Sequence, residues 1–275
     1  MFNNYSFDTE YPRSPVTSSK GFTKLMYLVN NQKVILKEDL EKLKLEINEK
    51  NEKGWTASMI ACRNSNTKSS IETVRLLLDH GAKIDMQNNN GRTALMMAAS
   101  YSHEDSNIET VRLLLDRGAK IDMQDNDGWT ALMMTVRYNH TDSNIETVRL
   151  LLDHGAKIDM QENNGLTALM MTVGYSHTES NIETVRLLLD RGAKIDVQEN
   201  DGFTALMLAV GYSRTSSNIE TVKLLLDHGA KIDIQNNNGL TALIIATKYI
   251  HEKFNSEVVK LLLDYGAKKT FKIMN

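Results

Sequence analysis

The chain has 275 residues, of which 41% are hydrophobic, and a formal charge of −3 with acidic and basic residues interspersed. This charge pattern lacks the basic stripe that neutralises phosphates, so nucleic acid and anionic membranes are poor partners. The single cysteine, Cys62, excludes an internal disulfide framework. A chain without disulfides is typical of a reducing compartment and predicts an intracellular, cytoplasmic protein.

The N-terminal segment, residues 1–18, contains Pro12, Pro15 and several serines, but no apolar run of the length found in signal peptides. We expect this segment to be a flexible leader. Nowhere does the chain hold the roughly 18 consecutive apolar residues that a membrane-spanning helix needs. The sequence therefore predicts neither a signal peptide nor a membrane span.

Two short motifs recur along the chain at a fixed spacing of 37 residues. Gly-x-Thr-Ala begins at Gly54, Gly91, Gly128, Gly165, Gly202 and Gly239, and Gly-Ala-Lys begins at Gly81, Gly118, Gly155, Gly192, Gly229 and Gly266. A period of this size indicates one supersecondary unit stacked on itself, in which each unit buries its apolar side against its neighbours. We expect one elongated domain over residues 19–268, followed by a tail at 269–275. Its units start near residues 19, 52, 89, 126, 163, 200 and 237.

Each unit is expected to form two helices joined by a polar loop, as the segment 91–126 illustrates. Thr93 is placed to cap a short first helix made by the apolar run that follows it. The spacing of Ser106 and Glu109 predicts a capping box at the start of a second, amphipathic helix. Gly118 closes this helix, because the position needs a positive φ.

The units resemble the ankyrin repeat family. Gly-x-Thr-Ala-Leu-Met stands where the family has Gly-x-Thr-Pro-Leu-His, Val111–Leu115 reads Val-Arg-Leu-Leu-Leu, and Gly-Ala-Lys-Ile-Asp from Gly118 stands for Gly-Ala-Asp-Val-Asn. These elements keep the same order from about residue 21 to about residue 268. The lengthened, nearly identical units are similar to arrays found in giant viruses. The resemblance implies an all-α ankyrin-repeat solenoid of about seven helix-loop-helix units with short hairpin-like turns.

The units depart from the family pattern in two ways. Methionine replaces the family's histidine and alanine its proline, so we expect thioether packing to substitute for a Thr-to-His hydrogen bond. The methionines are Met96, Met133, Met170 and Met207. The repeat also exceeds the family's usual 33 residues by four, and these extra residues fall between the two helices.

Candidate catalytic and metal-binding residues are few. His103, His140, His177 and His251 share one repeat position, but stacked units lie about 8–10 Å apart, which is too far for ligands of one zinc ion. Recognisable nucleophile and phosphate-loop motifs are missing, and we interpret Cys62 as a packing residue. The sequence therefore predicts no enzyme, no catalytic or metal-binding residue and no cofactor.

Two rows of residues are candidate partner contacts. The residue after the turn glycine varies from unit to unit, as Trp55, Arg92, Trp129, Leu166, Phe203 and Leu240. In ankyrin arrays the hairpin tips and the first helices line a concave groove, so the resemblance implies that this row touches a partner. Alternatively, each side chain covers its neighbour's hairpin. The second row is Tyr101, Tyr138, Tyr175, Tyr212 and Tyr249, which either form an adhesive inner wall or brace the lengthened loop.

We interpret the chain as a non-enzymatic, monomeric protein-protein interaction module, or scaffold, that binds another protein. If the chain is viral, the partner is a host protein and the site of action is the host cytoplasm. The alternative is an adaptor that recruits a target to a host regulatory enzyme such as a ubiquitin ligase. Its docking motif would have to lie in residues 1–20 or in the tail at residues 270–275.

Overall fold

The computed structural model describes residues 21–31, 35, 37–64, 68–100, 105–137, 142–174, 179–211, 216–248 and 253–268. Within these ranges every regular element is a helix, which confirms the predicted all-α fold. The helices come in successive pairs, each with a first and a second helix. The pairs are α1 (Lys24–Asn30) and α2 (Lys37–Lys42), α3 (Ala57–Arg63) and α4 (Lys68–Asp79), α5 (Ala94–Ser100) and α6 (Asp105–Asp116), α7 (Ala131–Arg137) and α8 (Asp142–Asp153), α9 (Ala168–Gly174) and α10 (Glu179–Asp190), α11 (Ala205–Gly211) and α12 (Ser216–Asp227), and α13 (Ala242–Lys248) and α14 (Lys253–Asp264). A 3-10 turn, Lys44–Glu46, follows α2.

The chain divides into two compact units. Unit 1 comprises Met1–Tyr138 and Asp153–Ala156, and unit 2 comprises Asn139–Leu152 and Lys157–Asn275. In unit 1 the first helices α1, α3, α5 and α7 pack in chain order, and the second helix α4 packs on α6. In unit 2 the first helices α9, α11 and α13 and the second helices α10, α12 and α14 pack in the same manner. Each unit is therefore built by neighbour-to-neighbour stacking of one helical motif.

The first helices are buried almost all round. In α5 every residue from Ala94 to Ala99 is at most 3% exposed, because the helix packs against α3, α6 and α7. The Thr93 hydroxyl accepts a hydrogen bond from the Met96 N–H at 3.3 Å and so satisfies one of the free amides at the helix start. The same bond recurs at Thr23, Thr56, Thr130, Thr167, Thr204 and Thr241. The predicted threonine cap is confirmed.

The methionines that replace the family's histidine lie inside the stack. Met96, Met133, Met170 and Met207 are each 1–2% exposed. The Thr93 N–H also points at the sulfur of Met96, with 3.5 Å between nitrogen and sulfur. Flexible thioether side chains therefore fill the interior beside the threonine caps, as expected.

The second helices each bury one apolar stripe. In α6, Val111 and Leu114 are fully buried, whereas Glu109 and Arg112 are exposed and pair across 3.7 Å. The predicted capping box is wrong, because α6 begins at Asp105 and Ser106 therefore lies inside the helix. The Glu109 carboxylate pairs with an arginine one turn later on the same helix.

Gly118 ends α6 as predicted. Its φ is +81°, its N–H donates to the Leu115 carbonyl at 2.9 Å, and the Ala119 N–H donates to the Leu114 carbonyl at 3.0 Å. These two bonds satisfy carbonyls that the helix leaves open at its C-terminus. From here the chain turns toward the hairpin that begins the next repeat.

Candidate functional site

Each hairpin is closed by a buried polar side chain. Asp125 is 6% exposed, and its Oδ1 accepts hydrogen bonds from the N–H groups of Asp127 at 3.0 Å and Trp129 at 2.9 Å. Its backbone N–H also donates to the Trp129 carbonyl at 3.0 Å. One carboxylate therefore satisfies two backbone donors at once and fixes the path of the turn.

The same closure recurs with different side chains. The equivalent residues are Asn51, Asn88, Asp125, Glu162, Glu199 and Asn236, each at most 6% exposed. The longer Glu162 still reaches both donors, the N–H of Asn164 at 2.9 Å and the N–H of Leu166 at 3.0 Å. The turn is thus a constant scaffold, although the residue that follows the turn glycine varies.

Within each unit, an asparagine at the tip joins one hairpin to the hairpin before it. In unit 1 the Asn126 backbone N–H donates to the Asn90 carbonyl at 3.0 Å, and Asn126 Nδ2 donates to the Asn89 carbonyl at 2.8 Å. A Cβ added at Gly91 would lie 2.6 Å from Asn126 Oδ1, so this glycine is required for space as well as for its φ of +78°. In unit 2, Asn237 bonds to the hairpin of Gly202 in the same way.

A second ladder of side-chain bonds runs behind the tips. Asp85 Oδ1 accepts from the Lys120 N–H at 2.9 Å in unit 1, and Asp159 Oδ1 accepts from the Lys194 N–H at 2.8 Å in unit 2. Each of these two aspartates thus bonds to the backbone of the next repeat, 35 residues further along the chain.

The alternation of histidine and arginine at the ends of the second helices also joins neighbouring repeats. Arg117 lies 2.7 Å from Asp79, and His154 Nε2 lies 3.8 Å from Asp116 in unit 1. In unit 2, His228 Nε2 lies 3.6 Å from Asp190. In these three pairs the helix-end residue thus faces the last aspartate of the second helix in the preceding repeat, and it does so whether it is an arginine or a histidine.

The tip residues themselves are exposed in both units. They are Glu52, Lys53, Asn89, Asn90, Asn126 and Asp127 in unit 1, and Asn163, Asn164, Asn200, Asp201, Asn237 and Asn238 in unit 2. We call the tips of one unit, together with the C-terminal ends of its first helices, the hairpin face of that unit. Because the buried closing residue fixes the turn beneath them, the exposed side chains project from an ordered backbone.

The predicted contact row lies beneath the tips. Trp129, Leu166 and Phe203 are 9%, 5% and 9% exposed, and Trp55, Arg92 and Leu240 are half-buried. In the structure the first three side chains are therefore buried. Whether any of the six contacts a partner stays a prediction.

In unit 1 the row is coupled to the residue eight positions later, at the end of the first helix. The Arg137 guanidinium carbon lies 4.9 Å from the centroid of the Trp129 ring, and that of Arg63 lies 5.8 Å from the Trp55 ring. Both distances are within the range of cation–π attraction. Each tryptophan is therefore covered by an arginine of its own repeat.

The repeat between these two uses its arginine differently. Arg92 Nε lies 3.2 Å from Asp125 Oδ2 of the next hairpin, with the two side chains 11% and 1% exposed. In unit 2, glycines Gly174 and Gly211 stand eight positions after Leu166 and Phe203. The residue at the end of the first helix thus varies between repeats, as does the residue that follows the turn glycine.

Several predicted residues lie outside the described residues. They are Tyr101, Tyr138, Tyr175, Tyr212 and Tyr249, and the histidines His103, His140, His177 and His251. Cys62 is described and fully buried, and burial raises the pKa of its thiol far above the usual range. A thiol in this state is a poor nucleophile, which agrees with the predicted packing role.

The described part of the chain shows neither a metal-binding cluster nor a membrane-spanning helix. No group of three or more histidine, cysteine, aspartate or glutamate side chains there could hold a metal ion. Among the same residues, no helix combines the length and the apolar character needed to cross a bilayer.

Sequence comparisons relate the chain to known proteins. It is 45% identical over 89 residues to ankyrin repeat protein L289 of Acanthamoeba polyphaga mimivirus, a match that covers 30% of this chain and 16% of the relative. Proteins L88 and L86 of the same virus are 43% and 40% identical over 90 and 86 residues, again 30% of this chain. These two matches cover only 10% and 15% of the relatives, so the matched region is a small part of each of them.

A family profile described as "Ankyrin repeats (3 copies)" matches residues 25–125, 104–199 and 177–273. Ankyrin repeats are generally protein-protein interaction modules, and the family is typically non-enzymatic. The matches span nearly all of the helical array, and its hairpins and helix pairs have the predicted order. The chain belongs to the ankyrin repeat family.

Proposed function

We propose that the chain binds a partner protein through its hairpin faces, without chemical catalysis. The observation that carries this proposal is the contrast within each hairpin. The closing side chain and the asparagine bonds keep the turn the same in every repeat, whereas the residues after the turn glycine and at the end of the first helix differ. A constant scaffold with changing side chains is the arrangement expected of a recognition surface.

Preorganisation supports the same proposal. The tip backbone is fixed by hydrogen bonds within the hairpin and between neighbouring hairpins, so little conformational entropy remains to be lost on binding. The second residue of each tip is exposed, and Asp127 and Asp201 are examples. These side chains are available to a partner without any change in the fold.

The partner is proposed to be a host-cell protein, and the site of action the cytoplasm of the infected cell. The similarity to mimivirus ankyrin proteins supports this proposal. We further expect one copy of the chain to act as a monomer, since the proposed surface needs no second copy.

Site-specific photo-crosslinking tests the position of the surface. A benzophenone amino acid is placed at Asp127 or Asp201 on the hairpin faces, and at Arg112 or Arg186 on the exposed sides of the second helices. In host-cell extract the hairpin positions should crosslink to a discrete protein band, and the second-helix positions should not. Equal labelling from both sets, or labelling from the second helices alone, would place the interface elsewhere.

A further inference from the structure

We propose that Asn238, at the tip of the last described hairpin, is a site of spontaneous deamidation. The chain contains three Asn-Asn-Gly sequences, and they occupy the same place in three hairpins, at Asn89–Gly91, Asn163–Gly165 and Asn237–Gly239. A glycine after asparagine favours the reaction, because no side chain shields the attacking backbone nitrogen. The structure closes two of these tips and leaves the third open.

Deamidation joins two neighbouring residues and needs no reagent other than water. The Gly239 nitrogen attacks the side-chain carbonyl carbon of Asn238 and loses its proton to solvent. The side-chain nitrogen takes up a proton and leaves as ammonia, and a five-membered succinimide ring remains. Water then opens the ring at one of its two carbonyls and gives aspartate or isoaspartate. One amide and one water thus become one carboxylic acid and one ammonia.

All three tips hold the attacking nitrogen in the same hydrogen bond. The glycine N–H donates to the carbonyl of the closing residue at 2.9 Å for Gly91 and at 2.8 Å for Gly165 and Gly239. The nitrogen must leave this bond before the ring can form, so the turn has to open locally. This bond slows all three sites alike and does not distinguish them.

The following hairpin holds the first two tips with further bonds. The Asn90 carbonyl accepts from the Asn126 N–H at 3.0 Å, and the Asn164 carbonyl accepts from the Asn200 N–H at 3.0 Å. The side-chain amides of the same two donor residues also bond to the carbonyl one position earlier, at 2.8 Å and 3.0 Å. Opening either tip therefore breaks two more hydrogen bonds than the turn itself contains.

The glycine of the third tip lies in open space. Gly91 and Gly165 are buried, and an added Cβ would lie 2.6 Å from Asn126 Oδ1 and 2.8 Å from Asn200 Oδ1. Gly239 is exposed, and the described residues place nothing within 4 Å of a Cβ there. Rotation of the Asn238–Gly239 peptide toward the attacking geometry thus meets less resistance than at the other two tips.

The hairpin can accept the aspartate product. Asp127 and Asp201 occupy the same tip position in two other hairpins. The Asp201 N–H donates to Glu199 Oε2 at 3.0 Å, just as the Asn238 N–H donates to Asn236 Oδ1 at 3.0 Å. Deamidation therefore adds a negative charge to the hairpin face of unit 2 while the turn is kept, whereas isoaspartate lengthens the backbone of the turn by one carbon. The site itself does not depend on the proposed function.

Ageing of the full chain tests the inference, with Asn164 as the matched control. Asn164 and Asn238 lie in the same unit and share the sequence Asn-Asn-Gly-Leu. The folded protein is incubated in mildly alkaline buffer, and mass spectrometry of its proteolytic peptides measures conversion at each tip. Asn238 should convert about tenfold faster than Asn164, because fewer hydrogen bonds oppose its opening. In urea the two rates should agree within about twofold, since the local sequence is the same.

The variant Asn200→Ala separates protection by the following hairpin from opening of the last repeat. It removes one side-chain bond over the tip of Asn164, so conversion at Asn164 should rise about threefold while conversion at Asn90 stays unchanged. Circular dichroism checks that the variant remains folded. Equal rates at Asn164 and Asn238 in the folded protein, or an unconverted Asn238, would overturn the proposal. An unchanged rate at Asn164 in the variant would overturn the protective role of the neighbouring hairpin. None of these results bears on the proposed function.

Discussion

At the scale of single residues, the closing position of the hairpin shows how one backbone geometry accepts different charges. Asn88, Asp125, Glu162 and Asn236 all accept hydrogen bonds from the same two backbone donors. A charged residue at this buried position loses water, and the loss must be offset by hydrogen bonds or by an opposite charge. Asp125 has both, since Arg92 pairs with its second oxygen.

Removing Arg92 should therefore destabilise the protein through Asp125. We expect Arg92→Leu to lower the free energy of unfolding by about 2–4 kcal/mol, because it leaves a buried carboxylate without its cation. Adding Asp125→Asn should restore most of the stability, since asparagine keeps the acceptor that closes the hairpin. The chain itself combines an apolar residue with asparagine at the corresponding positions, which are Phe203 and Asn236. Urea unfolding measures both variants, and a double variant no more stable than Arg92→Leu would contradict the explanation.

Two turn glycines in unit 2 separate the requirement for positive φ from the requirement for space. A Cβ at Gly202 would lie 2.7 Å from Asn237 Oδ1 and 2.8 Å from Asn237 N, whereas nothing lies within 4 Å of a Cβ at Gly239. Both glycines have positive φ, +82° and +72°. Gly239→Ala should therefore show only backbone strain, about 1–2 kcal/mol, and Gly202→Ala a further 1–3 kcal/mol from steric overlap.

The difference between these two variants includes an end effect, because Gly239 lies in the last described repeat. Gly229→Ala and Gly266→Ala correct for it, since both glycines have positive φ and open space, and they lie in the same repeats as Gly202 and Gly239 respectively. Urea unfolding of all four variants isolates the steric contribution. If the loss of stability in Gly202→Ala exceeds that in Gly239→Ala by no more than the loss in Gly229→Ala exceeds that in Gly266→Ala, the asparagine contact does not constrain the glycine.

At the scale of the helix, local signals are the part of the fold that the sequence predicts well. Thr93 and Gly118 mark the ends of two helices, because a cap and a left-handed residue act on the backbone within a few positions of themselves. The start of α6 differs from the prediction, because the helix begins at Asp105, and Glu109 pairs with Arg112 on the same helix. A spacing motif cannot show which of two local partners a side chain takes.

The contacts between repeats were harder to predict. Asn126 and Asp85 bond to groups 37 and 35 residues away in the chain, and their polar character alone suggested turns and solvent. Variation at Trp129 suggested an exposed contact, but its ring is mostly buried beside Arg137. The signal that could have revealed this pair is the recurrence of tryptophan with an arginine eight residues later, at Trp55 and Arg63.

The threonine cap should have a measurable effect on its helix. Thr130 is 3% exposed, and its hydroxyl oxygen accepts from the Met133 N–H at 3.3 Å. Thr130→Ala should lower the free energy of unfolding by about 1 kcal/mol, because a buried donor at the start of α7 loses its acceptor. Thr130→Ser keeps the hydroxyl oxygen and should lower the free energy of unfolding clearly less. Thermal unfolding followed by circular dichroism compares the two, and equal losses would assign the effect to the lost methyl group.

At the scale of the whole molecule, an ankyrin array has stability that is approximately the sum of its repeats and their interfaces. In unit 1, for example, α5 packs on α6 of its own repeat and on the first helices α3 and α7 of the adjacent repeats, so damage in one repeat is felt by the repeats on either side. An interior repeat has two such neighbours, and the last repeat has one. The same local strain should therefore have different effects on stability in an interior repeat and in the last repeat.

Two glycines at the ends of second helices test this expectation. Gly118 and Gly266 have φ values of +81° and +92°, and an added Cβ meets nothing within 4 Å at either position. The Cβ of a valine therefore adds backbone strain without steric overlap at both. Gly118→Val should lower the melting temperature of the whole of unit 1, because α6 packs against both α4 and α5. Gly266→Val should leave the main transition almost unchanged and raise hydrogen exchange only in α13 and α14, since a terminal repeat can open by itself. Exchange that spreads over all of unit 2 in Gly266→Val would show that its repeats unfold as one cooperative block rather than as separable units.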